Sequence, residues 1–114
     1  MYPLLLESSN DAAEALAIHF DRENFITKMN QEAKNLQMNS TFFMDPSGLS
    51  SENSSTVSDL FKLTGCINKE YPNLLEITTK RSYSTEKHNW FNLSQFLGKR
   101  EYAGGKSGYT SAAK

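Results

Sequence analysis

The chain has 114 residues, a formal net charge of −1 and 38% hydrophobic residues. That length allows one small domain with a modest core, and the near-neutral charge excludes a broad basic surface for nucleic acid. No apolar run approaches the roughly eighteen residues of a membrane span, and Met1-Tyr-Pro-Leu-Leu-Leu is too short, and lacks the basic flank, for a signal peptide.

In chain order, Pro3 to Glu7 reads as a short apolar helix or its last turn, broken by Ser8-Ser9-Asn10. Asn10 is placed to cap a second helix running to about Phe20, with Asp11 and Glu14 near its positive end. The many alanines of that helix imply close packing against another element. Asp21 is the expected cap of a third helix over residues 22–37, where Phe25, Ile26, Met29, Ala33 and Leu36 recur at helical spacing. Asp45-Pro46-Ser47-Gly48 is turn chemistry: proline presets φ and glycine admits positive φ. Thr56-x-x-Asp59 resembles a capping box, and Val57, Leu60, Phe61, Leu63 and Ile67 predict another amphipathic helix behind it.

Tyr71-Pro72 ends that segment, and Asn73 to Thr78 fits a short helix or a strand equally well. Lys80 to Asn89 is polar, a loop or an edge ribbon. Trp90, Phe91, Leu93, Phe96 and Leu97 form an aromatic-rich patch assigned to the core. Tyr102 to Thr110 reads as a glycine-softened strand that must pair with something the chain does not encode. No repeat, linker or second domain is apparent. Cys66 is the sole cysteine and reads as a small core residue. The Asn-x-Ser/Thr triplets at Asn39, Asn53 and Asn92 are expected by composition in a chain rich in both residues.

Two short patterns carry chemistry. Ser8-Ser9-Asn10 matches Ser-x-Asn, and Lys106-Ser107-Gly108 matches the Lys-Ser/Thr-Gly pattern of penicillin-binding proteins and serine β-lactamases. With fourteen serines and ten asparagines, about one accidental Ser-x-Asn is expected, and Ser51-Glu52-Asn53 is a second one.

Order and surroundings are more specific. "LLLESSNDAAEALA", "KMNQEAKNLQMNSTFFMDPSGLSSENSSTVSDLFKL", "HNWFNLSQFL" and "GGKSGYTSAA" resemble, in order and over essentially the whole chain, the D-alanyl-D-alanine carboxypeptidases of the S11 peptidase family. The resemblance implies an α/β fold of the DD-peptidase/β-lactamase type. This chain would be mainly the helical subdomain plus a terminal strand of the sheet, and residues 1–114 a partial domain from the Ser-x-Asn motif to the Lys-Ser-Gly motif. The family's Ser-x-x-Lys nucleophile motif lies well before Ser-x-Asn and is missing here. Ser84-Thr85-Glu86-Lys87 and Ser111-Ala112-Ala113-Lys114 fit its pattern, but two such matches are about what composition yields.

The implied activity is serine-type hydrolysis, in which the terminal D-alanine of a peptidoglycan stem peptide is removed through an acyl-enzyme, outside the cytoplasm. The implied catalytic residues are Ser8, for proton relay, Asn10, donating its amide to the substrate backbone, and Lys106, holding charge near the terminal carboxylate. Ser107, Gly108 and Tyr109 would bind substrate, with the Tyr109 N–H as half of an oxyanion hole. No cofactor and no metal is implied: His19 and His88 lack a paired ligand motif. The chain alone is expected to be inactive, and β-lactams would bind covalently only with the missing segment restored. The competing expectation is a non-catalytic module of the same fold that binds peptidoglycan peptides or docks on a partner.

Overall fold

A computed structural model of the chain describes residues 1–111. Five helices come first: α1 Tyr2–Leu6, α2 Asn10–His19, α3 Arg22–Asn35, α4 Val57–Glu70 and α5 Pro72–Thr79. The strands β1 Ser82–Ser84 and β2 Asn89–Phe91 form an antiparallel hairpin in the register Ser82 with Phe91, Tyr83 with Trp90 and Ser84 with Asn89. The polar stretch from Lys80 is therefore the ribbon alternative. The ambiguous stretch before it resolves as helix α5, with Pro72 in its first turn, where a missing N–H costs nothing.

The cap of α2 falls on Ser9, not on Asn10. Ser9 is extended, and its side chain accepts the Ala12 N–H at 3.2 Å, while Asn10 is already the first helical residue. The alanine-rich pattern has the expected consequence: Ala13 and Ala17, one turn apart, are buried, and α2 packs against both α1 and α3. Arg22 at the head of α3 reaches back to Glu14 of α2, Nε to Oε2, at 2.8 Å. Asp21 stands at the N-cap position of α3 but makes no side-chain cap, because the turn there is left-handed, with φ 66°.

Helix α3 stops at Asn35, two residues short of the expected 37. Gln37 takes a left-handed φ of 57°, its N–H bonds Lys34 O at 2.9 Å, and the Met38 N–H bonds Ala33 O at 2.8 Å. This is a Schellman termination, usually built on glycine. Met38 is buried directly after it.

Thr56 caps α4, accepting the Asp59 N–H at 3.2 Å. Asp59 does not return the bond as a capping box would. Its carboxylate accepts the Ser40 N–H at 2.9 Å, the Thr41 hydroxyl at 3.0 Å and the Lys62 ammonium at 3.0 Å, tying α4 to the connection that leaves α3. Asn30 makes a similar tie: its Oδ1 accepts the Phe43 N–H at 2.8 Å and its Nδ2 donates to Phe43 O at 2.7 Å.

The core is small, made of Leu6, Ala13, Ala17, Ala33 and Met38. The expected amphipathic helix α4 forms, but the core assignments of the aromatic-rich patch and of Cys66 fail. Val57 and Phe61 of α4 are 86% and 78% exposed, so the apolar face of that helix is not covered by the described residues. Phe91, Leu93 and Phe96 are exposed as well, Trp90 and Leu97 are only half-buried, and so is Cys66. Trp90 instead joins a surface stack with Tyr83, Tyr2 and His88. Among the described residues the segment Tyr102 to Thr110 belongs to neither strand of the sheet, and strand identity is set by ladder pairing.

Candidate functional site

The chain's two halves are closed onto each other at α1. Glu7 Oε1 accepts the Phe91 N–H at 3.0 Å, and Leu6 O accepts the Leu93 N–H at 3.1 Å. These contacts bring the segment beyond β2 against the α1–α2 junction. Ser8 occupies that junction with a left-handed φ of 60°, a conformation uncommon for a residue with a Cβ. Next to it, the Ser9 N–H bonds Pro3 O at 3.1 Å. Because Ser9 takes the cap, the Asn10 side chain is not committed to capping.

A cleft of about 660 Å³ opens at this junction. Ser8 and Asn10 line it from one end of the sequence and Lys106, Ser107, Gly108 and Tyr109 from the other. All six residues singled out in the sequence therefore share one hollow. Among the described residues Lys106 is the only charged side chain lining it, and Leu4, Leu5, Phe43, Pro46 and Leu60 add an apolar surface. Such a hollow suits a ligand with one negative charge and small apolar groups.

Lys106 is exposed as a residue, yet protein atoms crowd its ammonium, and this desolvation lowers its pKa below the ordinary lysine value. Its Nζ donates to Ser107 O. The backbone before it is held from α5: the Gly105 N–H bonds Thr78 Oγ1 at 2.8 Å.

Sequence reasoning missed the third wall. Ser47, Gly48, Ser50 and Ser51 line the cleft, on a loop organised by Asp45. Its Oδ1 accepts from the backbone of Ser47 (2.7 Å), Gly48 (2.6 Å) and Leu49 (3.3 Å) and from the Ser47 hydroxyl (2.8 Å). Its Oδ2 accepts from the Ser50 N–H (2.6 Å) and Asn53 Nδ2 (2.7 Å). Burial alone would raise the Asp45 pKa. The bonds from Ser50, Ser47, Asn53 and Gly48 outweigh it and hold the carboxyl well below the usual range. The turn was legible in Asp-Pro-Ser-Gly; its place beside the motifs was not.

The Ser84 to Lys87 match to Ser-x-x-Lys does not contribute to the cleft. Ser84 ends β1 and Lys87 lies in the hairpin turn, both away from the lining. The second match runs beyond Ser111 into residues 112–114, outside the described residues.

Comparison with known proteins gives the same direction. The family model described as D-alanyl-D-alanine carboxypeptidase, peptidase S11, matches residues 1–114. The D-alanyl-D-alanine endopeptidase of Escherichia coli K12 is 44% identical over 79 residues, 68% of this chain and 25% of that protein. Its Haemophilus influenzae namesake is 52% identical over 62 residues, 53% of this chain and 21% of that protein. Among solved structures, penicillin-binding protein D2 from Listeria monocytogenes in its cefotaxime-bound form superposes with a TM-score of 0.89 at 35% identity, over 97% of this chain and 47% of that one. The D-alanyl-D-alanine carboxypeptidase of Mycobacterium tuberculosis H37Rv gives 0.84 at 31%, over 97% and 45%. The chain thus spans about a quarter of the curated relatives and just under half of the solved ones. The helical architecture with its small hairpin is the helical part of the penicillin-binding-protein fold, and the chain belongs to the D-alanyl-D-alanine carboxypeptidase family, peptidase S11.

Proposed function

We propose that the chain forms the substrate-holding walls of a serine-type D-Ala-D-Ala peptidase acting on peptidoglycan stem peptides outside the cytoplasm. Residues 1–114 make up the part of that domain between its Ser-x-Asn and Lys-Ser-Gly motifs. The observation that carries the proposal is the shared cleft: a hydroxyl and an amide at the head of α2 face the same hollow as a cation more than ninety residues later.

The roles follow from the chemistry of each group. Lys106 is the cation for the terminal carboxylate, and the Ser107 hydroxyl can donate to the same group. The Asn10 amide donates to a substrate carbonyl and holds the peptide in line. Gly108, with no side chain, lets the peptide lie close to the backbone, and the Tyr109 N–H stabilises the oxyanion as the carbonyl is attacked. The Ser8 hydroxyl passes a proton toward the leaving amine. The attacking serine comes from outside this sequence, so the chain alone is inactive, and the same cleft takes β-lactams only when that serine is supplied.

The relatives named endopeptidases favour a second reading, in which the cleft accepts a cross-linked peptide and the leaving group is an amine on a neighbouring stem.

The test is titration calorimetry with a short peptide ending in D-Ala-D-Ala. Wild-type chain should bind, and Lys106→Ala should bind at least about ten-fold more weakly. Equal affinities would remove Lys106 from the site. Binding with no turnover when the chain is joined to an upstream Ser-x-x-Lys segment would favour the non-catalytic module instead.

A further inference from the structure

Lys106 reaches the cleft from a segment that belongs to no helix or strand, so its placement depends on individual contacts. These are concentrated one and two residues upstream. Thr78 near the end of α5 is only 3% exposed. Its hydroxyl donates to Leu75 O at 2.6 Å and accepts the Gly105 N–H at 2.8 Å, so it serves as donor and acceptor at once. The other side of Gly105 is held by Tyr102, whose Oη donates to Gly105 O at 3.1 Å. Asn92 Nδ2 fixes the receiving end, donating to Thr78 O at 2.7 Å and Lys80 O at 2.9 Å.

Gly104 lies against this anchor. A Cβ there would stand 2.7 Å from Thr78 Oγ1 and 2.9 Å from Leu75 O. The backbone thus passes α5 at a distance only glycine permits, with Gly105 bonded at both its N–H and its carbonyl. Thr78 itself does not line the cleft. A flexible lysine stem delivers its charge reproducibly only if its backbone is fixed.

We infer that Thr78 is a positioning residue for Lys106: its buried hydroxyl sets the backbone of Gly104 and Gly105, and so brings the ammonium to the hollow it shares with Ser8 and Asn10. Thr78 acts through the backbone and touches no ligand. The peptide-binding half of the test rests on the proposed function; the titration half does not.

The experiment compares wild type, Thr78→Val and Thr78→Ser. Valine keeps the shape and removes the hydroxyl, and serine keeps the hydroxyl. Two quantities are read: the Lys106 side-chain titration by NMR, and affinity for a short D-Ala-D-Ala peptide. Thr78→Val should move the Lys106 titration up toward the ordinary lysine value and weaken peptide binding about ten-fold. Thr78→Ser should keep both near wild type. Unchanged titration and affinity in Thr78→Val, or a Thr78→Ser as defective as Thr78→Val, would overturn the assignment. If Thr78→Val loses native amide dispersion, Tyr102→Phe, which deletes the other tether of Gly105, is read in its place with the same two outcomes. If wild type binds no peptide, the proposed function fails, and the Lys106 titration alone decides the role of Thr78.

Discussion

Asn53 Nδ2 donates to Asp45 Oδ2 at 2.7 Å, and Asn53 Oδ1 in turn accepts the Met44 N–H at 2.8 Å. The pair closes the loop that forms one cleft wall, with the carboxylate at its centre and backbone N–H groups converging on it. Replacing Asp45 by Asn removes the charge and turns one acceptor into a donor, leaving part-buried N–H groups of the loop without their carboxylate acceptor. We expect Asp45→Asn to destabilise the chain by about 3 kcal/mol, read as a lowered urea midpoint. A variant within about 0.5 kcal/mol of wild type would mean that the loop is held by its other contacts.

The same carboxylate predicts a pH dependence. Its folded pKa lies far below the ordinary aspartate value of about 3.9, so the unfolded chain binds the proton first as pH falls. The stabilisation is complete above about pH 5 and is lost progressively as pH drops below the unfolded value toward the folded one. Urea midpoints measured between about pH 5 and pH 2 should fall more steeply for wild type than for Asp45→Ala. Parallel slopes would show that Asp45 is not the group responsible.

Much of this was legible because local chemistry decided it. Thr56 followed by Asp59 announces the start of α4, and the alanines of α2 announce its close packing. Two Ser-x-Asn triplets look equivalent as text, and the cleft does not separate them either, because Ser51 and Asn53 line it together with Ser8, Asn10 and Lys106; only the neighbouring sequence sets them apart. The misses share a cause in long-range partners. Gln37 ends α3 in a glycine-like conformation because Met38 is buried behind it, which no local signal reveals. Phe91, Leu93 and Phe96 read as core by composition, but burial requires a facing surface, and the described residues place none over them. The segment around Lys106 reads as a strand by its Tyr-Thr and glycine content, yet strand identity belongs to the partner as much as to the sequence.

Ser9 and Asn10 are adjacent and separable. Ser9 supplies the cap of α2, so Ser9→Ala should lower stability by about 1 kcal/mol with the Asn10 amide still present. Asn10→Ala should change stability by less than about 0.5 kcal/mol while abolishing D-Ala-D-Ala peptide binding. Parallel thermal melts and peptide titrations separate the two. The opposite pattern, a stability loss from Asn10 and a binding loss from Ser9 alone, would exchange their roles.

Gly104 and Gly108 bracket Lys106 and should respond differently to alanine. At Gly104 the added Cβ meets Thr78 Oγ1 and the Leu75 carbonyl at under 3.0 Å, and φ is 111°. Overpacking and an unfavourable φ add to about 3 kcal/mol. The chain can relieve that strain locally by letting the terminal segment leave α5, so the loss should appear as opening of this segment more than as global unfolding. The direct reporter is the Gly105 N–H, bonded to Thr78, whose hydrogen exchange should accelerate by about 100-fold in Gly104→Ala. At Gly108 an added Cβ would meet nothing within 4 Å and φ is not left-handed, so Gly108→Ala should leave Gly105 exchange unchanged and act only on the cleft, by narrowing the path along the backbone. Equal protection of Gly105 in wild type and Gly104→Ala would mean that the α5 contact does not hold the lysine segment in place.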